Sequence, residues 1–416
     1  MGWDRMAHAT TMWVSHERLV RLPRVPRVPL PTLFLSAAVA LVVAAAPIEG
    51  YLIAAYPQLG KVPALVLVGI WLIVRVRQYR LPELQPVHVA LAALALVVVL
   101  STAVHLTSPF SVEYAGRWLP FLLTCAVLID AVAHEVKVEV VFAAALTGAA
   151  ISAVGAVYSM FASGDLRASG PLTDPNDLAY VLVAALPLAV GFAPHRRWHA
   201  ILLGGVAVLL ALGAATTLSR GGGIALAVAV TWLVIRRVIA IRAVVLAGIG
   251  AAVAVGLAWV FAHSLVASAV GQKGYIAASN VDTRLTRWHA AAEMLGTNPI
   301  LGVGPGGFRS NYVATSHLAE IAEQTPVVHN MYIEVAAELG IAGIVLFIGL
   351  IVGALVACER ALRLGAEPRV AIAVQASLLA VVSASVSLSE EYYMALWSIL
   401  AIAYALYAKT AGEARR

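Results

Sequence analysis

Charge is scarce in this chain. Only 12% of its 416 residues are Asp, Glu, Lys or Arg, against roughly 25% in an ordinary soluble domain, which excludes a conventional water-soluble globule. Cysteine is nearly missing. Cys125 falls inside one apolar run and Cys358 at the end of another, so the two are not expected to meet and no disulfide framework is implied. The sequence also lacks HExxH, paired cysteine and histidine at zinc spacing, and a nucleophile elbow, which removes support for metalloprotease and hydrolase chemistry. Its acidic residues are scattered rather than arranged as a metal site, so a reaction free of metal and cofactor is the simpler expectation. No convincing internal repeat is visible, and the link after the sixth apolar segment is only PHRRWH (194–199), unlike the long central connection of two-halves transporters.

What is present is hydrophobic. Apolar residues make up 61% of the chain, in runs long enough to cross about 30 Å of hydrocarbon. The fold class expected is therefore an all-α polytopic membrane bundle. Twelve spans can be drawn, centred near residues 39, 67, 96, 124, 149, 185, 207, 228, 252, 349, 378 and 400. With the N-terminus inside, 20 basic residues fall on the cytoplasmic side and eight outside: Lys61, Arg117, Arg167, Arg220, Lys273, Arg284, Arg287 and Arg309. That asymmetry supports the span count and puts both termini in the cytoplasm. The net charge of +6 is accordingly read as topology and not as an affinity for nucleic acid.

The expected organisation follows from these spans. Residues 1–31 form a basic cytoplasmic tail interrupted by Pro23, Pro26, Pro29 and Pro31. Residues 32–262 hold nine spans, 263–329 one long outer loop, 330–408 a surface helix and three spans, and 409–416 a cytoplasmic tail. The run from Thr32 to Ala46 before Pro47 also resembles a signal-peptide core; either reading leaves the later topology unchanged.

The long loop carries the polar residues. In VDTRLTRWHAAAEMLGTNP a short amphipathic helix is expected, capped by Asp282 and stopped at Gly296, with Arg284 and Arg287 sharing a face and Trp288 suited to an interface anchor. The two arginines would be solvated, bound to lipid headgroups, or part of a site. The next stretch, ILGVGPGGF, has a GxGxxG pattern at Gly302, Gly304 and Gly307 without the strand a dinucleotide fingerprint needs. A sharp backbone turn, or N–H groups offered to a phosphate, are its two readings. His329 and Asn330 then open a helix expected to stop at Gly340. A lone histidine there would cap or pack, or would accept a proton from a hydroxyl near neutral pH.

Two upstream stretches and one downstream turn complete the polar set. TTLSRGGG (216–223) puts Arg220 at a bilayer edge, either snorkelling or presenting a cationic fork to a diphosphate. In DPND, Asp174, Asn176 and Asp177 are suited to capping the sixth span. Glu390 and Glu391 would position an acceptor, pair with an arginine, or sit in a solvated turn.

As a set, these motifs resemble the O-antigen ligase and polymerase family of bacterial membrane glycosyltransferases. Arg284 four residues before Trp288, then NPILGVGPGGF, then HN opening HNMYIEVAAELGIAG, is similar to that family's signature, and SRGGG and DPNDLA look like its upstream motifs. The resemblance covers roughly residues 170–345. It implies transfer of a glycan from an undecaprenyl-diphosphate carrier to an acceptor hydroxyl, most simply lipid A-core of lipopolysaccharide, at the periplasmic face of the inner membrane. It also implies His329, Arg284 and Arg220 as catalytic residues; Arg287, Asn330, Arg309, Trp288 and Asn176 are candidates for substrate binding beside them, and for Arg287 and Arg309 a contribution to the positive field alone is the other reading. A polymerase of the same family would share the donor and differ in its acceptor. A lipid-linked glycan flippase or transporter would share the spans and arginines but would not need His329.

Overall fold

The computed structural model describes residues 29–162, 167–172, 174–192, 196–261 and 263–415. The basic tail, up to residue 28, lies outside the described residues. Among those described no strand occurs, and the regular elements are α1 (Leu30–Ala45), α2 (Glu49–Ala55), α3 (Val62–Arg77), α4 (Pro86–Val104), α5 (Ser111–His134), α6 (Val138–Ala162), α7 (Pro175–Ala185), α8 (Arg197–Thr216), α9 (Arg220–Ile235), α10 (Ile241–Phe261), α11 (His263–Thr297), α12 (Gly307–Thr315), α13 (Met331–Arg363), α14 (Pro368–Ala384) and α15 (Met394–Ala414). Proline marks several starts. Pro31, Pro63, Pro86, Pro175 and Pro368 each occupy the first turn of a helix, where the missing N–H costs no bond.

Each of the twelve expected span centres falls within a helix. Eight helical segments among the described residues are long and apolar enough to cross a membrane, and three shorter apolar ones cover Pro175–Gly191, Arg220–Ile235 and Pro368–Ala384. This is a multi-pass membrane protein. Its outer surface agrees: Leu100, Leu202, Val208, Leu246, Ile249 and Val345 are all exposed, an apolar coat that hydrocarbon satisfies and water would not. Inside, α15 packs on α5 and α13, α14 on α9 and α7, and α1 on α6 and α3. Trp118, Phe347, Tyr392 and Trp397 meet edge-to-face where α5, α13 and α15 converge.

Two sequence expectations need correcting here. Residues 263–297 are one helix of 35 residues, so Asp282 lies inside it and does not cap it; its carbonyl accepts a bond from Thr286 Oγ1. No proline interrupts residues 263–297, and with nothing to break the backbone ladder the helix continues upstream of the expected cap. The second correction concerns the opposite end of the bundle. Arg75, expected in a cytoplasmic connection, lies in the last turn of α3, is 4% exposed and donates from Nε to Asp130 Oδ2 at 2.6 Å. Trp71 Nε1 donates to the same oxygen at 2.6 Å, so one buried carboxylate ties α3 to α5. Cys125 and Cys358 are both free and buried.

Candidate active site

The site is built on a helix that breaks. Within α13, Gly340 adopts φ 66°, ψ −167°, so residues 331–339 and 341–363 are two helices joined across a kink, and the stop expected at Gly340 is present. A break leaves carbonyls above it and N–H groups below it without partners. The glycine-rich loop supplies both. Val303 N and Gly304 N donate to the carbonyls of Ala337 and Glu338 at 2.9 and 3.0 Å, while Ile341 N donates to Pro299 O at 2.8 Å and Ala342 N to Ile300 O at 3.3 Å. Gly302 N goes to Asn298 O, Gly307 N to Gly304 O and Phe308 N to the carboxylate of buried Glu338. These donors are consumed within the protein, which decides the glycine pattern in favour of the turn.

Such close approach tolerates no side chain. Gly302 has φ 65°, and a Cβ there would overlap the Ala337 carbonyl and the Glu338 backbone. Gly302→Ala is therefore expected to lower thermal stability in detergent, by about 1–3 kcal/mol from the backbone conformation alone and more from the overlap. Gly69→Ala in α3, where a Cβ meets nothing within 4 Å, is the control and should not destabilise.

Immediately before α13, residues 327–330 are gripped group by group. Val327 O accepts from Arg287 Nη1 at 3.1 Å, Val328 O from Trp288 Nε1 at 3.1 Å, and Val328 N donates to Glu334 Oε2 at 3.3 Å. His329 N donates to Ser389 Oγ at 3.1 Å, and the Ser389 hydroxyl donates to Glu334. Asn330 then caps α13, its Oδ1 accepting from Tyr332 N and Ile333 N at 3.1 Å each. His329 sits in the left-handed region at φ 56°, a conformation costing a non-glycine residue about 1–2 kcal/mol. The surrounding bonds hold it there.

The arginines divide into two kinds. Arg287 is 5% exposed and fully committed: Nε and Nη2 form a bidentate pair with Glu320 at 3.0 Å each, and Nη2 lies 3.4 Å from Glu323. The pairing with Arg287 holds the Glu320 carboxyl below its usual range, and burial with Glu320 beside it lifts Tyr312 to about 12. Trp288, with its indole N–H on Val328 O, packs in the small loop core with Phe308 and Tyr312. Both residues shape the loop. Arg309 lies away from them, its guanidinium 4.4 Å above the Phe110 ring and its Nη2 on Gln324 O at 3.3 Å.

Arg284 and Arg220 are the other kind. Among the described residues neither guanidinium has a hydrogen-bond or ion-pair partner. Arg284 is half-buried one turn before Trp288, and burial lowers its pKa while Asp174 opposes that and Arg287 adds to it. Asp174 caps α7 through Asn176 N at 2.6 Å and faces both Arg284 and His329. Burial first, then Arg284 and Arg287, press the His329 imidazole down to about 4, against the opposing pull of Asp174 and Glu323. The histidine is thus neutral at physiological pH.

Arg220 begins α9 behind its Ser219 cap, whose side chain accepts from Gly222 N. The following glycines let this corner pack tightly, since a Cβ on Gly221 would overlap Ser387 Oγ and one on Gly222 would crowd Ala179 of α7. Ser387 belongs to the same 385–391 turn that bonds His329 through Ser389, so SRGGG, DPND and HN converge on one end of the bundle. Asn176 there accepts from Arg167 Nη2 at 3.2 Å, and Arg167 Nε donates to Thr217 O at 3.1 Å. Arg167 is a cation that motif reading passed over.

Of the three readings of Glu390 and Glu391 the solvated turn is excluded, since each is 1% exposed. Burial, with the carboxylate of Asp177 nearby, raises Glu390 well above the usual carboxylate range, while Trp397 Nε1 ties down the Glu391 carbonyl at 2.8 Å. Glu334 and Ser389 also escaped the motif search. The one available signal was Glu334 with Glu338, two acids one turn apart on an otherwise apolar helix.

An imidazole held neutral can accept a proton from a hydroxyl, and guanidiniums without partners among the described residues can stabilise an anionic leaving group. Residues 205–348 match the family model described as O-antigen ligase, a segment holding Arg220, Arg284, Arg287, Trp288, Arg309, His329 and Asn330. No curated protein matches the chain.

Proposed function

We propose that this chain, whose residues 205–348 match the O-antigen ligase family model, is a glycosyltransferase moving a glycan from undecaprenyl diphosphate to an acceptor hydroxyl. The observation that carries this reading is the pairing of a neutral His329 with Arg284, a cation that has no partner among the described residues. In the proposed reaction the acceptor O–H gives its proton to the imidazole as its oxygen attacks the anomeric carbon. The bond from that carbon to the phosphate oxygen breaks, and the electron pair leaves with the diphosphate. Direct attack inverts the anomeric centre.

Arg284 and Arg220 would hold the diphosphate, with Asn176 and Arg167 bordering it. Leaving-group charge grows as the bond breaks, so these guanidiniums stabilise the transition state more than the ground state. Donor binding would also tune the base. A diphosphate offsets the field of Arg284 and Arg287 that depresses His329, so the imidazole becomes more basic when the donor is in place. Arg287, Trp288 and Asn330 are assigned to holding the histidine's backbone, and Arg309 to the loop's positive field. The site would face the periplasm, with both termini cytoplasmic and the chain in the inner membrane.

The favoured acceptor is lipid A-core. Mass analysis after incubating purified protein with an undecaprenyl-diphosphate oligosaccharide, with and without lipid A-core, tests this. Acceptor-dependent product supports the ligase; a ladder of lengthened carrier-linked glycan without acceptor makes the protein a polymerase. Flipping of the lipid-linked glycan in proteoliposomes, with no covalent product in either mixture, overturns the enzyme.

A further inference from the structure

We infer that Ser389 and Glu334 are positioning residues for His329, a relay from the last turn of the bundle that holds the histidine's backbone in its left-handed conformation. The inference rests on the reading of His329 as the group that acts on the acceptor hydroxyl. Ser389 lies outside the segment matched by the family model, and Glu334, inside it, is only 4% exposed.

The connectivity fixes the direction of every bond. A serine hydroxyl has one proton to give and two lone pairs to accept with. Since Ser389 Oγ accepts from His329 N–H at 3.1 Å, its own proton is free to go to Glu334 Oε2, which it contacts. That same carboxylate oxygen accepts Val328 N–H at 3.3 Å. Glu334 therefore anchors two successive peptide units, one directly and one through the hydroxyl. The turn carrying Ser389 is itself fixed, because Met331 N donates to Leu388 O at 2.7 Å and to Ser385 O at 3.0 Å.

Without this relay two N–H groups in a largely buried segment would lack partners, and His329 would gain by leaving φ 56° for the ordinary helical or extended region. Its ring would then swing away from Arg284. Misplacement of a reacting group by about 1 Å costs on the order of a hundredfold in rate. Loss of the hydroxyl should therefore damage the chemical step and spare the donor's binding.

The test compares wild-type protein, Ser389→Ala, Ser389→Thr, Glu334→Gln and His329→Ala, each purified in detergent and checked for monodispersity. Transfer rates give kcat and KM, and binding of undecaprenyl diphosphate alone gives donor affinity. Expected are a kcat about a hundredfold lower in Ser389→Ala, donor affinity unchanged, and recovery to within a few-fold in Ser389→Thr, which keeps the hydroxyl. Glu334→Gln, which retains an acceptor oxygen, should fall between them and remains informative if Ser389→Ala fails to fold. Wild-type kcat in Ser389→Ala beside an inactive His329→Ala overturns the relay alone, as does equal loss of kcat and donor affinity. Wild-type transfer by His329→Ala overturns the underlying reading of the histidine and the relay with it.

Discussion

Replacing His329 with alanine should reduce glycan transfer by about a thousandfold or more while leaving the protein folded, since a positioned general base contributes roughly 10²- to 10⁴-fold. Folding should survive because the bonds around residue 329 are made by its backbone N–H and its neighbours, not by its ring. The pH profile carries a second, signed expectation. The neutral imidazole is the active form, so activity is lost as pH falls through its pKa. With that pKa pressed down to about 4 in the empty site, the acid limb of kcat/KM for the donor should lie well below the 6.5 typical of histidine. In the donor complex the diphosphate offsets Arg284 and Arg287, so the acid limb of kcat should sit at higher pH than that of kcat/KM. Coincident limbs near 6.5 would mean that the arginines do not act on this histidine.

Arg284→Ala is expected to cost about 10²- to 10³-fold in kcat, the range seen when one preorganised donor to a developing anion is removed. The loss should exceed the rise in donor KM, because charge on the departing diphosphate is greater in the transition state than in the bound donor. Lysine should recover only part of it, for an ammonium lacks the planar fork that spans two phosphate oxygens. Arg287→Ala offers the contrast. Its guanidinium is held by Glu320 and the Val327 carbonyl, so loosening of the loop should dominate its phenotype. A rise in donor KM without change in kcat for Arg284→Ala would reduce that residue to ground-state binding.

Legibility in the sequence followed the physics of each feature. Apolar runs of span length are local signals, and each expected centre fell within a helix. The extent of α11 was hidden because Asp282 has the chemistry of a cap but lies in a run that no proline interrupts. His329, Arg284 and Arg220 stood out as polar residues in recognisable motifs. The group that holds His329 did not: Ser389 lies 60 positions from it in sequence, and nothing in its neighbourhood marks it. A solvated turn stayed among the readings of Glu390 and Glu391 because burial there is imposed by packing of α7 and α15, which adjacent residues do not reveal. Gly302 and Gly340 were legible singly as turn and stop. That each exists to admit the other's backbone is visible only when the broken helix and the loop are brought together.

The most direct measurement is the anomeric configuration of the product bond, determined by NMR on glycan transferred from an undecaprenyl-diphosphate oligosaccharide of known configuration. Wild-type protein should give inverted linkage, and His329→Ala and Arg284→Ala should give no product on the same timescale. Retained configuration, or inverted product formed by His329→Ala at the wild-type rate, would contradict direct attack driven from this site.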